Sequence, residues 1–193
     1  MDKFEIVSEV IRSRRSIKPS KMNGRLIDDN DITELLKLAD WAPTHKHTEP
    51  WRFIVHAGHK AKEFVSAHAE LYRKSVPEEK FSNDKYQKIL GNGNNLSHLI
   101  VCYMKRDAEK RLPELEEISA VAASMQNIFI AAEAKGISGF WSTGGMIHSD
   151  EMKAMLKLEY EDVIMGIIYL GYSDHKFEGK RVIPIEEKVT WVK

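Results

Sequence analysis

Apolar residues at Phe4, Val7, Val10 and Ile11 fall on one helical face and predict a helix over residues 3 to about 13, which delivers Arg12, Arg14, Arg15 and Ser16 at its end. Ile32, Leu35, Leu36 and Ala39 predict a second helix, with Asp31 and Glu34 spaced as a weak capping box and Pro43 as its stop. Trp51 to Ala57, rich in aromatic and β-branched residues and closed by Gly58, reads as a strand, and residues 59–75 as a helix. From Val76 to Asn95 the chain is polar, carries Pro77 and the run GNGNN, and is expected to form a long connection or a mobile lid. LIVCYM, residues 99–104, is a strand whose unbroken apolarity predicts burial on both faces. The longest helix opens at Pro113 with Glu114, Glu116 and Glu117 in its first turn and ends at Lys135 and Gly136. Its stripe of Leu115, Ile118, Ala122, Met125, Phe129 and Ala132 is widened by Val121, Ile128 and Ile130, more apolar surface than a domain of this size encloses, so a subunit interface is expected. A short strand near Gly139 to Trp141, a Thr-Gly-Gly turn, a helix over about 149–158 and a strand over 163–172 follow. The tail, with KRVIPIEEKVTW, is too apolar for a free end and is expected to dock.

Length and charge narrow the classes. The 193 residues suit one domain, 1–193. The 29 Lys+Arg balance the 29 Asp+Glu, so no global field attracts nucleic acid or an anionic membrane. A single cysteine, Cys102, sits in an apolar run and suggests a structural thiol in a reducing compartment. The opening MDKFEIVSEVIRSRR resembles no leader, and no stretch approaches the ~18 to 20 apolar residues of a membrane span. A cytoplasmic protein is expected.

Three stretches could carry chemistry. Arg14 to Lys18, RRSIK, offers two guanidiniums, a hydroxyl and an ammonium suited to a phosphate dianion, or equally forms a solvated basic helix end. In the loop between Pro43 and Pro50, His45 and Lys46 could donate hydrogen bonds to a planar anionic ligand; a metal site on His45, His47 and Glu49 is the weaker alternative, since alternate residues of an extended chain point apart. GFWSTGGM, residues 139–146, ends a strand in a glycine turn that either admits a flat ligand against backbone N–H groups or is simply a turn. It has neither the Gly spacing of a Rossmann loop nor the Lys of a P-loop.

Together these stretches resemble the nitroreductase family of flavin oxidoreductases, over about residues 5–173. Arg14-Arg15-Ser16 is similar to its R-R-S motif. Ala42-Pro43-Thr44-His45-Lys46 with Pro50-Trp51-Arg52-Phe53 resembles its loop and strand, and Gly139-Phe140-Trp141-Ser142-Thr143-Gly144 with Tyr169-Leu170-Gly171-Tyr172 its C-terminal half. Glu49 stands where the family's Gln is usual, and Ser97-His98 where close relatives carry Ala-Pro. The resemblance implies an α+β fold, a mixed and mainly antiparallel sheet wrapped by helices, in an intertwined homodimer with FMN at each interface site. By position, Arg14, Arg15 and Ser16 would hold the phosphate and ribityl end and Lys18 the pyrimidine edge. His45 would come from the partner chain. Trp141, Ser142, Thr143 and Gly144 would line the isoalloxazine, and Arg181 or Lys180 would add a phosphate contact. NAD(P)H would be the donor, and a nitroaromatic, quinone or similar acceptor would follow it at the same flavin face, a ping-pong hydride transfer through N5. A flavin-binding protein without catalysis, or a hydrolase with a metal on His45 and His47, are the alternatives.

Overall fold

The computed structural model describes residues 2–175 and 177–193. α1 (Lys3–Ser13) opens with a capping box in which Asp2 accepts from the Glu5 N–H and Glu5 accepts from the Asp2 N–H. α2 (Asp29–Ala39) is capped by Asp28, whose carboxylate accepts from the Asn30 N–H at 2.8 Å, rather than by Asp31 as expected. Asp31 lies inside the first turn, where it and Glu34 hold the Lys135 ammonium, each at 2.7 Å. β1 (Trp51–Ala57), α3 (Gly58–Ser75), α4 (Asn83–Gly91), β2 (His98–Met104), α5 (Glu114–Ala134), β3 (Ser138–Ser142), α6 (Asp150–Leu156) and β4 (Val163–Gly171) follow.

The strands lie in the order β1-β2-β4-β3, every neighbouring pair antiparallel. The expected parallel component is a single bridge, Ser16 to Gly139. α2 and α5 cover one face of the sheet against Ile100, Cys102 and Met104, while α3 and α6 cover the other against Leu99 and Val101. The alternation of LIVCYM between two apolar layers accounts for its lack of polar positions. β4 carries one residue more than β2 where the register shifts between Cys102 and Tyr103, so Ile164 and Ile167, three apart, face the same layer.

Two buried polar groups fix the layers. Glu117 of α5 is buried and pairs with Arg106, and it also accepts from the Asp107 N–H at 3.2 Å. Ser97 accepts from the Ile27 N–H at 2.7 Å and joins His98 Nδ1 at 2.9 Å, while His98 Nε2 meets Asp29 at 2.9 Å. Ser97 is fully buried, so this chain of three pins α2 to the start of β2 and offers no nucleophile to solvent.

One expectation needs correction. The 76–95 segment is not a structureless connection: it contains a 3₁₀ turn (Glu78–Lys80) and α4, capped by Ser82. Phe81, Tyr86, Ile89 and Leu90 pack it onto Ala69 and Tyr72 of α3, and apolar contact of that kind outweighs the flanking Gly and Asn. One chain leaves part of α5 uncovered: Leu115 is exposed, and Ile130, Ala131 and Ala134 lie in an open groove with Ile6, Val7 and Val10 of α1, Leu38 and Trp41. None of α1 is buried by this chain. In the tail, Val182, Ile185, Trp191 and Val192 are exposed as well. No helix among the described residues is long and apolar enough to cross a membrane.

Candidate active site

Beyond α1 the chain runs extended along the sheet edge, where the Ile17 N–H donates to the Gly139 carbonyl at 2.9 Å. Extended backbone sends alternate side chains opposite ways. Ile17 goes into the core, and the Arg15 guanidinium donates to the carbonyls of Arg12, Arg14 and Phe177. Among the described residues no hydrogen bond or ion pair engages the Arg14 guanidinium or the Ser16 hydroxyl. Lys18 follows, and the 3₁₀ turn Pro19–Lys21 is held by the Asn23 N–H on Tyr172 O at 2.8 Å and the Ser173 hydroxyl on Lys21 O at 2.7 Å.

Lys18 opens on a cavity of about 650 Å³ between this turn, α4 with the Asn-rich stretch behind it, and the end of β3. Phe140 and Ser142 line it from one face of β3, with Gly144 and Gly145 beyond. Gly139 and Trp141 occupy the opposite face. A side chain at Gly139 would meet the Phe129 ring, and the Trp141 indole donates to Met165 O at 2.9 Å. A Cβ on Gly144 would meet nothing nearer than Ser142 Oγ at 4.0 Å, so the backbone there is open to a flat ligand. Gly145 has φ +76°, and a Cβ there would strike His68.

His68, 2% exposed, forms part of the wall. Its Nε2 accepts from the Met146 N–H at 2.9 Å, which places the proton on Nδ1, an atom without a partner among the described residues. Burial lowers its pKa from 6.5 to about 4, so the ring is neutral near pH 7. Burial also raises the Tyr169 phenol, another wall group, to about 12.

Of the ten residues singled out by sequence, Lys18, Ser142 and Gly144 line the cavity. Arg14 and Ser16 are not among its lining residues, Ser16 bridging to Gly139, and Arg15 lines a separate cleft with residues 175 and 177–179. Trp141 and Thr143 lie outside the lining. His45 is exposed and meets Glu116 at 2.8 Å, away from the cavity, and Lys46 donates to Arg111 O at 3.2 Å. Among the described residues the Arg181 guanidinium reaches only the Lys180 carbonyl, at 3.2 Å. Among the described residues no three His, Cys, Asp or Glu side chains gather as metal ligands would. Sequence reasoning missed His68, Lys85, Lys88 and the asparagines. The one signal for His68 was a polar residue on the apolar stripe of α3; Lys85 and Lys88 were masked by reading their segment as a connection.

The donor set bears on a flavin. Cations, amides and hydroxyls line the cavity, with no carboxylate among the lining residues. Acceptor-rich heterocycles and phosphate dianions are matched by such groups, and the residues fit FMN.

Comparison with known proteins identifies relatives of this fold. YfhC of Bacillus subtilis, named as a candidate NAD(P)H nitroreductase, is 27% identical over 96% of this chain and 93% of its own length. The nitroreductase-like family protein of Bacillus cereus superposes with a TM-score of 0.84 at 29% identity, covering 100% of this chain and 99% of that one. The FMN-dependent nitroreductase NfnB of Mycobacterium smegmatis, solved with NADPH, shares the fold at a TM-score of 0.75 and 14% identity, over 100% of both chains. Residues 11–172 match the nitroreductase family as a whole, and the chain belongs to that family.

Proposed function

We propose that this chain is an NAD(P)H-dependent flavin oxidoreductase acting on nitroaromatic, quinone or similar electrophilic acceptors. FMN, when bound, supplies the hydride chemistry in two half-reactions that share one cavity. The observation that supports the reading is the bridge between Ser16 and Gly139, which runs the Arg14–Lys18 segment alongside the strand that ends in the Ser142–Gly144 turn.

Arg14 and Ser16 bind phosphate, and Lys18 favours negative charge on the bound ring more than a neutral one. Gly144 admits a planar group against the backbone. Phe140, Tyr169 and the neutral His68 form walls that exclude water. His45 reaches a site only from a second chain, and the uncovered apolar surface of α1, α5 and Trp41 supplies an interface for that homodimer.

A purified protein that is yellow, elutes at twice the chain mass and oxidises NAD(P)H faster when a nitroaromatic is added is expected, and Arg14→Ala should lose the flavin. A colourless protein that refuses added FMN refutes the reading. Yellow protein inert to every donor and acceptor points instead to flavin binding without catalysis, and activity abolished by chelators to a metal hydrolase.

A further inference from the structure

Resting on the flavin reading, we infer that the cavity selects acceptors carrying an anionic group, and that Lys85 and Lys88 of α4 recognise it. Lys18, Lys85 and Lys88 all line the cavity, from two separate segments, and no Asp or Glu lines it. The chain as a whole is neutral, so this charge is a local concentration. Four lysines outside the cavity pair with carboxylates: Lys60 with Glu63, Lys105 with Asp162, Lys110 with Glu161 and Lys135 with Asp31. Among the described residues Lys18, Lys85 and Lys88 have no such partner. Three unpaired ammoniums around one space repel each other until an anion enters.

Their placement is built. Lys85 Nζ lies over the face of Tyr72, 4.9 Å from the ring centre. Tyr72 is itself buried and accepts from the Ser82 N–H at 3.1 Å, so the residue that caps α4 also fixes the platform for Lys85. Lys88 is three residues on and shares the helix face. Its position in the last turn also suits the helix dipole, but that explains neither Lys85 nor Lys18. With the cofactor's phosphate assigned to Arg14 and Ser16 and its ring to Lys18, the two α4 lysines remain for the molecule that shares the cavity.

The test uses the FMN-loaded protein and its Lys85→Gln/Lys88→Gln form, with 4-nitrobenzoate and the neutral 4-nitrobenzyl alcohol as matched acceptors. The wild type should favour nitrobenzoate by roughly tenfold in kcat/KM, and the preference should shrink as salt rises. The double variant should lose the preference while its activity toward the alcohol, its FMN affinity and its NADPH to NADH ratio stay unchanged. Unreactive benzoate, followed by calorimetry, should bind the wild type and bind the variant roughly tenfold more weakly. Equal loss toward both acceptors, weakened FMN binding, a changed NADPH to NADH ratio, or no preference in the wild type each overturns the inference. A flavin-loaded protein indifferent to acceptor charge defeats the lysine assignment alone, whereas a protein that takes no flavin defeats both readings.

Discussion

Gly145→Ala should damage the cavity wall without touching any group that binds a ligand by its side chain. With φ at +76°, an L side chain carries a strain of about 1–2 kcal/mol. The new Cβ would also lie 2.8 Å from His68 Cε1 and 3.2 Å from Ile89 Cδ1, both buried. Displacing the imidazole breaks its bond to the Met146 N–H, and an orphaned buried donor costs about 1–3 kcal/mol. The sum is roughly 2–5 kcal/mol, or a fall in Tm of about 4–20 °C for a chain of this size. Urea unfolding at fixed protein concentration measures it. Gly144→Ala, whose Cβ has open space, is the control and should change stability by less than about 0.5 kcal/mol. In a His68→Ala background Gly145→Ala should cost only the backbone strain. An unchanged penalty there, or a neutral single variant, refutes the account.

The same histidine sets an acid limit. Folded His68 takes a proton only near pH 4, whereas the unfolded chain takes it near 6.5, so stability is whole above 6.5 and declines as pH falls toward 4, by about 3 kcal/mol in all. Denaturation midpoints across that range should be flatter for His68→Gln. Glu117→Ala strands the Arg106 guanidinium in a mostly buried setting and should cost about 3 kcal/mol in urea titration; a loss below 1 kcal/mol contradicts the pairing. Ser97→Ala leaves the buried Ile27 N–H without its acceptor and should cost about 1–3 kcal/mol, with faster hydrogen exchange at Ile27 as a local readout.

What sequence could reveal followed the strength of periodicity. The α5 stripe and the LIVCYM run are long and regular, and both elements stand where their patterns put them. α4 has only Tyr86, Ile89 and Leu90 on its packed side and borrows its stability from Tyr72, a tertiary contact that no local pattern expresses. In the site, residue type was legible and direction was not. RRSIK and FWSTGG were visible as donors, but which of two adjacent arginines spends its donors on the Arg12, Arg14 and Phe177 carbonyls was not. The phase of β3 puts Ser142 on the cavity side and Trp141 on the other. His45 has no role legible from one chain, because its neighbours there are Glu116 and the loop itself.

The Arg15 clasp on Phe177 O joins the C-terminal arm to the residue directly after Arg14. A single peptide unit therefore separates the grip on the tail from the group offered to phosphate. In the proposed homodimer, tension on the arm that carries the exposed Trp191 and Val192 would be delivered to the arginine pair itself, and the proposed subunit contact and flavin retention would share one hinge.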